Sequence, residues 1–460
     1  MKLYNTLTKK KEELVPIKKG EVGVYSCGPT VYWNQHIGNM YAFLSWDILV
    51  RSLGYLGYKT KWVMNITDVG HMTSDEDTGE DKMEKGAKRE GLSVWEVAKK
   101  YERQFLDSLD LLNIVRPDVL CRATEHIEEQ IKLAKMMEKK GFTYKTKTGL
   151  VFDTAKFAGY AKFANLKLNK MKMGSRVKVD KEKKQPWDFL LWVTNQPDHK
   201  MLWDSPWGKG FPGWHLECTA MSTKYLGKKF DIHTGGIEHI GVHHTNEIAQ
   251  GYGAFGANTA NFWLHNGWLN LKRGKMSKSK GGGYTVQDLI KKGYDPLAFR
   301  YLVLSSHYSG GLTFSEGSLK AAEKGLVGLR SLVAKWRQAT KGEGEINQEY
   351  RQKFVDNLSD NLAMAEVMAG VWALAKSETV TMADKLASLV DFDKVLGLEL
   401  DKGSVEENIP SEVEEKAIDR QRARQNKKWD QADRLRGEID KMGWLMEDKD
   451  DGYELRRKKG

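Results

Sequence analysis

The spacing of apolar and polar residues in the N-terminal part of the chain predicts strands and a helix in alternation. Residues 22–27 and 59–66 are short apolar runs bounded by turn residues, and residues 40–54 between them carry apolar positions at helical spacing. A strand, a helix and a second strand of these lengths form a βαβ unit of the size used in nucleotide-binding sheets. We therefore predict an α/β fold for this part of the chain.

A second set of elements with the same pattern follows much later. Residues 230–233 are a predicted strand, a helix is predicted from about His243, and residues 262–271 are a further predicted strand. Two sets that each form half of a nucleotide-binding sheet indicate a split Rossmann-like nucleotide-binding domain. The intervening segment, residues 115–203, is predicted to be a connective insertion.

Apolar residues recur at helical spacing from Pro296 onward, as with Leu297, Tyr301 and Leu304. This period predicts an α-helical C-terminal region. The predicted domains are residues 1–114 and 204–295 for the two halves of the catalytic domain, 115–203 for the insertion, 296–400 for a helical bundle and 401–460 for a C-terminal helical segment.

Composition narrows the class of protein. No apolar run approaches the roughly 18 residues that span a bilayer. The N-terminal residues do not resemble a secretory signal, so we expect a cytoplasmic protein with no membrane partner. Three cysteines are too few for a disulfide framework in 460 residues and suit a reducing compartment, where thiols serve as ligands or nucleophiles. Lys and Arg outnumber Asp and Glu by 73 to 62, which favours an anionic partner.

The first candidate for chemistry is His36-Ile37-Gly38-Asn39, between the first strand and the first helix. The N–H groups at a helix N-terminus point toward a bound phosphate, Gly38 permits close approach of the backbone, and the imidazole of His36 can donate to a phosphate oxygen. An isolated pattern of this kind is more often a turn with an incidental histidine.

The second candidate is the loop Lys275-Met276-Ser277-Lys278-Ser279, which follows the last predicted strand of the second set. Two ammonium groups on flexible side chains can follow the charge that develops on a transferring phosphoryl group. A Lys/Ser loop alone is usually only solvated. The pair of loops, one on each half of a split nucleotide fold, favours catalysis.

The third candidate is a set of possible metal ligands: Cys27, Cys218, His243 and Glu247. His243 and Glu247 stand at i and i+4 and so face the same side of a helix. Two sulfurs, one imidazole and one carboxylate suit tetrahedral zinc, although this spacing is not a compact CxxC pattern and by itself favours ordinary buried residues. His244 is expected to face solvent or to lie behind the ligands, because only one of two adjacent histidines can point inward.

The two loops resemble the HIGH and KMSKS motifs of class I aminoacyl-tRNA synthetases. The second motif is matched in full, whereas Asn39 stands where the family has its final histidine and supplies no charge. The segments that begin at Cys27, Pro212 and His243 closely resemble those of cysteinyl-tRNA synthetases, and the resemblance covers nearly the whole chain. Thr245 and Glu238 depart from the usual Glu and Asp.

The resemblance implies an enzyme that activates L-cysteine with ATP and Mg²⁺ and transfers it to tRNA(Cys), with one Zn²⁺ per chain. It implies three groups of site residues: Cys27, Cys218, His243 and Glu247 for zinc; Thr30, Trp214 and Glu238 for cysteine; and Thr30, His36, Gly38, Asn39, Lys275 and Lys278 for ATP, with His36, Lys275 and Lys278 catalytic. The C-terminal helices, which carry Arg420, Arg422, Arg424 and Trp429, would contact the anticodon arm. A monomer is expected.

Two alternatives stay open at this point. A cysteine ligase that passes cysteine to an amino sugar shares both motifs but lacks an anticodon-binding region, whereas this chain has a long helical C-terminal part. A non-catalytic RNA-binding paralogue would keep the fold, and Asn39 slightly favours it. The complete Lys275–Ser279 motif and the four candidate ligands oppose that alternative.

Overall fold

The computed structural model describes residues 1–70, 81–167, 182–196, 199–271, 274–275, 283–340, 342–402, 410–449 and 452–457. Within these ranges no helix combines the length and the apolar character that crossing a bilayer requires.

The N-terminal part contains the predicted βαβ unit. Its elements are β1 (Lys2–Asn5), β2 (Lys10–Glu13), β3 (Glu21–Ser26), α1 (Ile37–Tyr55), β4 (Lys59–Ile66), α2 (Lys82–Glu90), α3 (Val94–Leu111) and β5 (Val119–Arg122). β3 and β4 pair in parallel, and α1 forms the crossover between them. The predicted strands and helix are confirmed to within a few residues, because an apolar run that is buried on both faces leaves a clear local pattern.

A small antiparallel sheet follows. Helix α4 (Ile127–Lys139) comes first in the chain, and the strands of the sheet are β6 (Thr143–Thr146), β7 (Gly149–Phe152), β8 (Phe189–Thr194) and β9 (Gly210–Pro212). The strand order is β6-β7-β8-β9. Strands β6, β7 and β8 lie in the segment predicted to be an insertion, whereas β9 lies beyond its predicted end. At the start of that segment, β5 pairs in parallel with β4. We therefore propose that the insertion begins after β5.

The second half returns to the parallel sheet. Its elements are α5 (Trp214–Leu226), β10 (Phe230–Gly236), α6 (His243–Phe255), β11 (Ala260–Asn266), β12 (Leu269–Leu271), β13 (Gly274–Lys275) and α7 (Val286–Lys291). The five-stranded sheet has the order β11-β10-β3-β4-β5 and is parallel throughout, which confirms the split Rossmann-like fold.

The prediction of a single strand at residues 262–271 is wrong in part. β11 lies in the parallel sheet, whereas β12 belongs to a separate small sheet. The break falls at Gly267, whose N–H donates to the carbonyl of Tyr308. A Cβ at Gly267 would lie 2.4 Å from the backbone nitrogen of Gly311, so this close approach requires a glycine.

Helices dominate the remaining chain, as predicted. The elements are α8 (Pro296–Leu304), β14 (Leu312–Phe314), α9 (Glu316–Ala339), α10 (Gln348–Ser359), α11 (Met364–Lys376), α12 (Met382–Leu396), α13 (Ser411–Gln425), α14 (Trp429–Lys441), β15 (Trp444–Lys449) and β16 (Gly452–Arg457). Two features were not expected from the sequence: the hairpin β15–β16, and β14, which pairs in parallel with β12.

The strand order determines where a ligand can bind. From β3 the chain crosses to β4 on one side, and from β10 it crosses to β11 on the other side. β3 and β10 are therefore neighbours at the switch point, where the order of the strands in the sheet reverses. In open α/β sheets the crevice beyond the carboxyl ends of such strands is the usual ligand site.

Candidate active site at the sheet switch point

A pocket of about 390 Å³ lies beyond the carboxyl ends of β3 and β10. Most of the predicted site residues line it: Cys27, Thr30, His36, Gly38, Asn39, Trp214, Cys218, Glu238 and His243. Glu247 lies directly behind His243 on α6. Residues from both halves of the catalytic domain therefore meet at one cavity.

The four predicted metal ligands, called the ligand cluster below, come together at one end of this pocket. The Sγ atoms of Cys27 and Cys218 are 3.9 Å apart, and Cys27 Sγ is also 3.9 Å from Glu247 Oε1. His243 Nε2 is 3.1 Å from the same carboxylate oxygen. Tetrahedral zinc with bonds of about 2.0–2.3 Å requires ligand atoms about 3.3–3.8 Å apart, so the cluster fits this metal.

Three elements supply the ligand cluster. Cys27 directly follows β3, and its N–H donates to the carbonyl of Thr234 on β10, which holds the thiol at the strand boundary. Cys218 lies on α5, and His243 and Glu247 lie one turn apart on α6. All four side chains are buried. Their positions depend on the fold, because residues far apart in sequence supply the ligands.

The charges in the ligand cluster favour a cation. Burial raises the pKa of Cys27 well above its usual value, whereas the hydrogen bond from Cys27 lowers the pKa of Cys218 to about 7. Burial opposes ionisation of Glu247, but His233 and His243 outweigh it and lower the pKa of that carboxyl to about 2. A buried group of two thiols and a carboxylate is stabilised by a metal ion that replaces the protons.

A second group of potential ligands shares Cys27 and Glu247 but uses His233 and His244. His244 is fully buried, so of the two positions expected for it, facing solvent or lying behind the ligands, the structure excludes the first and agrees with the second. Its Nε2 lies 3.3 Å from Cys27 Sγ, and its Nδ1 lies 2.7 Å from Nε2 of His265. Of the two groups, only the ligand cluster contributes further residues, Cys218 and His243, to the pocket wall.

His233 was missed by the sequence analysis. Its Nε2 lies 2.9 Å from Oε2 of Glu247, on the side of the carboxylate away from His243. Partners of this kind orient a metal ligand and tune its basicity. The one available signal was the position of His233 on β10 directly before a polar Thr-Gly-Gly ending, which is unusual for a buried strand.

The first predicted loop also lines the pocket, through His36, Gly38 and Asn39. His36 is the N-cap of α1, and its Nδ1 accepts from the N–H of Asn39 at 3.2 Å. The Oδ1 of Asn39 is buried and accepts no hydrogen bond within the described part of the chain. Such an atom, in the pocket wall, can accept from a ligand.

The segment that follows the Lys275–Ser279 loop packs against the His36 loop. The N–H of Ile37 donates to the carbonyl of Tyr284 at 2.7 Å, and His36 and Thr285 form an isolated β-bridge. Lys275 is paired with Asn270 in the backbone hairpin of β12 and β13, whereas Lys278 lies outside the described residues. The two motifs are therefore adjacent in space at their flanks.

Comparison with known proteins identifies the family. Residues 13–324 match the family profile described as the class I (C) tRNA synthetase catalytic domain. A cysteine–tRNA ligase of Treponema denticola is 42% identical, over 97% of this chain and 98% of its own length. Cysteine–tRNA ligase 1 of Burkholderia lata is 43% identical, over 98% and 96%.

Among solved structures, the chain is similar to the methionyl-tRNA synthetase of Mycobacterium tuberculosis in complex with methionyl-adenylate. The TM-score is 0.55 at 15% identity, over 82% of this chain and 90% of that one, which supports the fold alone. The matching family profile and the full-length relatives show that the chain belongs to the class I aminoacyl-tRNA synthetases, in the family of cysteine–tRNA ligases.

Proposed function

We propose that the chain activates L-cysteine with ATP to form cysteinyl-adenylate and transfers the cysteinyl group to the 3′ end of tRNA(Cys), with one Zn²⁺ held by Cys27, Cys218, His243 and Glu247. The observation that carries this proposal is a single pocket that is lined both by residues of the buried ligand cluster and by the His36 loop. A thiol-binding cluster and a phosphate-binding loop in one cavity match the two substrates.

The chemistry of selection supports zinc. Serine differs from cysteine by one atom, and steric differences of that size yield only about 1–3 kcal/mol of discrimination. When bound at the ligand cluster, zinc would hold the substrate thiol as a thiolate, whereas a hydroxyl stays protonated at neutral pH and is a poor ligand. Discrimination at binding would make a separate hydrolytic site unnecessary.

The protein's own residues position the two substrates. We infer that Trp214, Thr30 and Glu238 shape the amino acid subsite, since all three line the pocket beside Cys27 and Cys218. The N-terminus of α1, with Gly38 and Asn39, faces the ATP phosphates. His36 and the lysines 275 and 278 stabilise charge as the carboxylate of cysteine attacks the α-phosphorus and pyrophosphate, with Mg²⁺, leaves.

The C-terminal helices α13 and α14 would contact the anticodon arm. Arg420 does not suit this role, because its side chain is 3% exposed and pairs with Asp448 at 2.6 Å. Arg424 pairs with the same carboxylate. Arg422 and Arg434, each with a side chain that is 71% exposed, and Trp429, which is 57% exposed, are better placed to reach phosphates and bases.

ATP–pyrophosphate exchange with cysteine and with serine tests the proposal. The wild-type protein should use cysteine at least about a thousandfold better than serine, because steric selection alone gives no more than about 10- to 200-fold. Cys218→Ser should lose bound zinc and most exchange. Cys121→Ser is the matched control, since Cys121 is equally buried but lies outside the ligand cluster.

Equal exchange with serine would refute selection by the metal. Exchange without charging of tRNA would instead favour the amino sugar ligase, an alternative that the relatives reported above do not support. Neither exchange nor tRNA charging, with tRNA still bound, would favour the non-catalytic paralogue.

A further inference from the structure

The pocket contains a cation that belongs to neither predicted motif. Lys82 is the only lysine or arginine among the described residues that line it. Its Nζ lies 5.5 Å from the ring centroid of Trp214. The Trp214 ring in turn lies 4.5 Å from the imidazole of His243, so the ammonium group stands over the pocket wall next to the ligand cluster.

The residue before Lys82 is fixed from two sides. Asp81 is the N-cap of α2 and accepts from the N–H of Glu84 at 2.8 Å. The Oδ2 atom of Asp81 also lies 3.1 Å from Nε2 of His199, and both side chains are almost fully buried. A Cβ at Gly70 would lie 2.2 Å from Asp81 Oδ2, so the chain packs closely around this carboxylate.

His199 is itself held in one orientation. Its ring stacks on Phe211 of β9 at 4.0 Å, and its Nδ1 accepts from the N–H of Met201 at 3.1 Å. Because Nδ1 is an acceptor, the proton of the neutral ring is on Nε2 and is donated to Asp81. The first turn of α2, and with it Lys82, is thereby anchored to the segment that precedes β9.

The charged side chains of the pocket are complementary to the two charged groups of a free amino acid. Its described lining contains one carboxylate, that of Glu238, and one ammonium group, that of Lys82. Free cysteine carries an ammonium group and a carboxylate besides its thiol. With the thiol at the ligand cluster, the carboxylate requires a cation within the same cavity, since a buried unpaired charge is costly.

We propose that Lys82 binds the carboxylate of the substrate cysteine and then the α-phosphoryl oxygens of the adenylate. A carboxylate oxygen forms the bond to the α-phosphorus, and the bond from that phosphorus to the bridging oxygen breaks, with its electron pair leaving on pyrophosphate. The negative charge on the α-phosphoryl group stays opposite Lys82 throughout. This role rests on the proposed function and gives the amino acid subsite a residue that neither motif contains.

Binding of two thiols to the zinc-loaded protein tests the role. L-cysteine and cysteamine share the thiol and the ammonium group, but cysteamine lacks the carboxylate. Wild-type protein should bind cysteine about ten- to a hundredfold more tightly, as expected for charge-assisted hydrogen bonds. In Lys82→Met this preference should fall to about one, with cysteamine affinity and zinc content unchanged.

Lys85→Met is the matched control, because Lys85 is exposed on the same helix and does not line the pocket. It should keep the wild-type preference. Lys82→Gln serves as a second variant if Lys82→Met does not fold, and Lys82→Arg should restore part of the preference. Exchange with cysteine should fall about a hundredfold or more in both neutral variants, by analogy with loss of one transition-state donor.

A wild-type preference for cysteine in Lys82→Met or Lys82→Gln would overturn the role of Lys82 and leave the proposed function intact. Wild-type protein that binds neither thiol would overturn the proposed function itself, and the role of Lys82 with it. The two failures are therefore distinct.

Discussion

At the scale of single residues, burial and local partners determine which groups carry charge. Asp68, two residues beyond β4, illustrates this outside the pocket. Burial raises the pKa of Asp68 to about 6, although hydrogen bonds from the hydroxyl and N–H of Thr124 partly counteract it. The folded state therefore holds this proton more tightly than the unfolded chain does.

This shift predicts a pH dependence of stability. Because the folded pKa lies above the unfolded value near 3.8, the contribution of Asp68 is present at low pH and is lost as the pH rises through about 6. Asp68→Asn should raise the free energy of unfolding by roughly 1–3 kcal/mol at pH 7.5, from about 1.4 kcal/mol per pKa unit. Urea unfolding at pH 4.5 and pH 7.5 measures it.

Asp107→Asn, at an exposed position on α3, is the control and should change little at either pH. A gain for Asp68→Asn that is the same at both pH values would contradict the assignment of the shift to this carboxyl.

At the scale of elements, one buried ion pair joins three helices. Nη2 of Arg300, on α8, lies 2.6 Å from Oδ2 of Asp47, on α1, and both side chains are fully buried. Nη1 of the same guanidinium donates to the carbonyl of Asn113 at 3.0 Å, and Nε donates to that of Leu396 at the end of α12. Arg300 thus connects α8 to α1 and to the end of α12.

Arg300→Met should lower the free energy of unfolding by about 3 kcal/mol or more, because Asp47 would stay buried with less compensation. Arg116→Met is the matched control: Arg116 and Asp110 form a pair in which both side chains are exposed, which is expected to contribute less than about 1 kcal/mol. Urea unfolding monitored by tryptophan fluorescence compares the two. Equal losses would show that the buried pair has no special role.

At the scale of the whole molecule, the C-terminal unit has its own small core. Its buried apolar residues are Val413, Ala417, Ile439, Trp444 and Met446, from α13, α14 and β15. The catalytic pocket draws no residue from this unit among those described. The anticodon-binding role proposed for this unit therefore predicts that amino acid activation and tRNA binding can be separated.

Deletion of the chain after residue 402 should leave cysteine-dependent ATP–pyrophosphate exchange near the wild-type rate. Charging of tRNA should fall by about tenfold or more, mainly through a higher KM for tRNA, because phosphate and base contacts are lost together. The point variant Trp429→Ala, in the otherwise complete chain, should show a smaller change in the same direction. Full charging by the truncated protein would exclude an anticodon-binding role.

Much of the fold and of the candidate site was predictable from the sequence because the signals are local. The βαβ unit, the helical period after residue 296, and the two loops each depend on neighbouring residues. The i, i+4 spacing of His243 and Glu247 also suffices to place both on one side of α6. The ligand types are compatible with zinc, but the resemblance to cysteinyl-tRNA synthetases, and not the residues alone, favoured a zinc site.

Which distant residues come into contact depends on how the helices pack against the parallel sheet. The packing of α5 against β3 and β4 brings Cys218 to Cys27. Helix α6 presents His243 to the pocket and His244 to His265, and α2 brings Lys82 over Trp214. These placements depend on long-range pairing and burial, which no local period encodes. The sequence determined the elements and the ligand chemistry, and the packing of the parallel sheet determined the site.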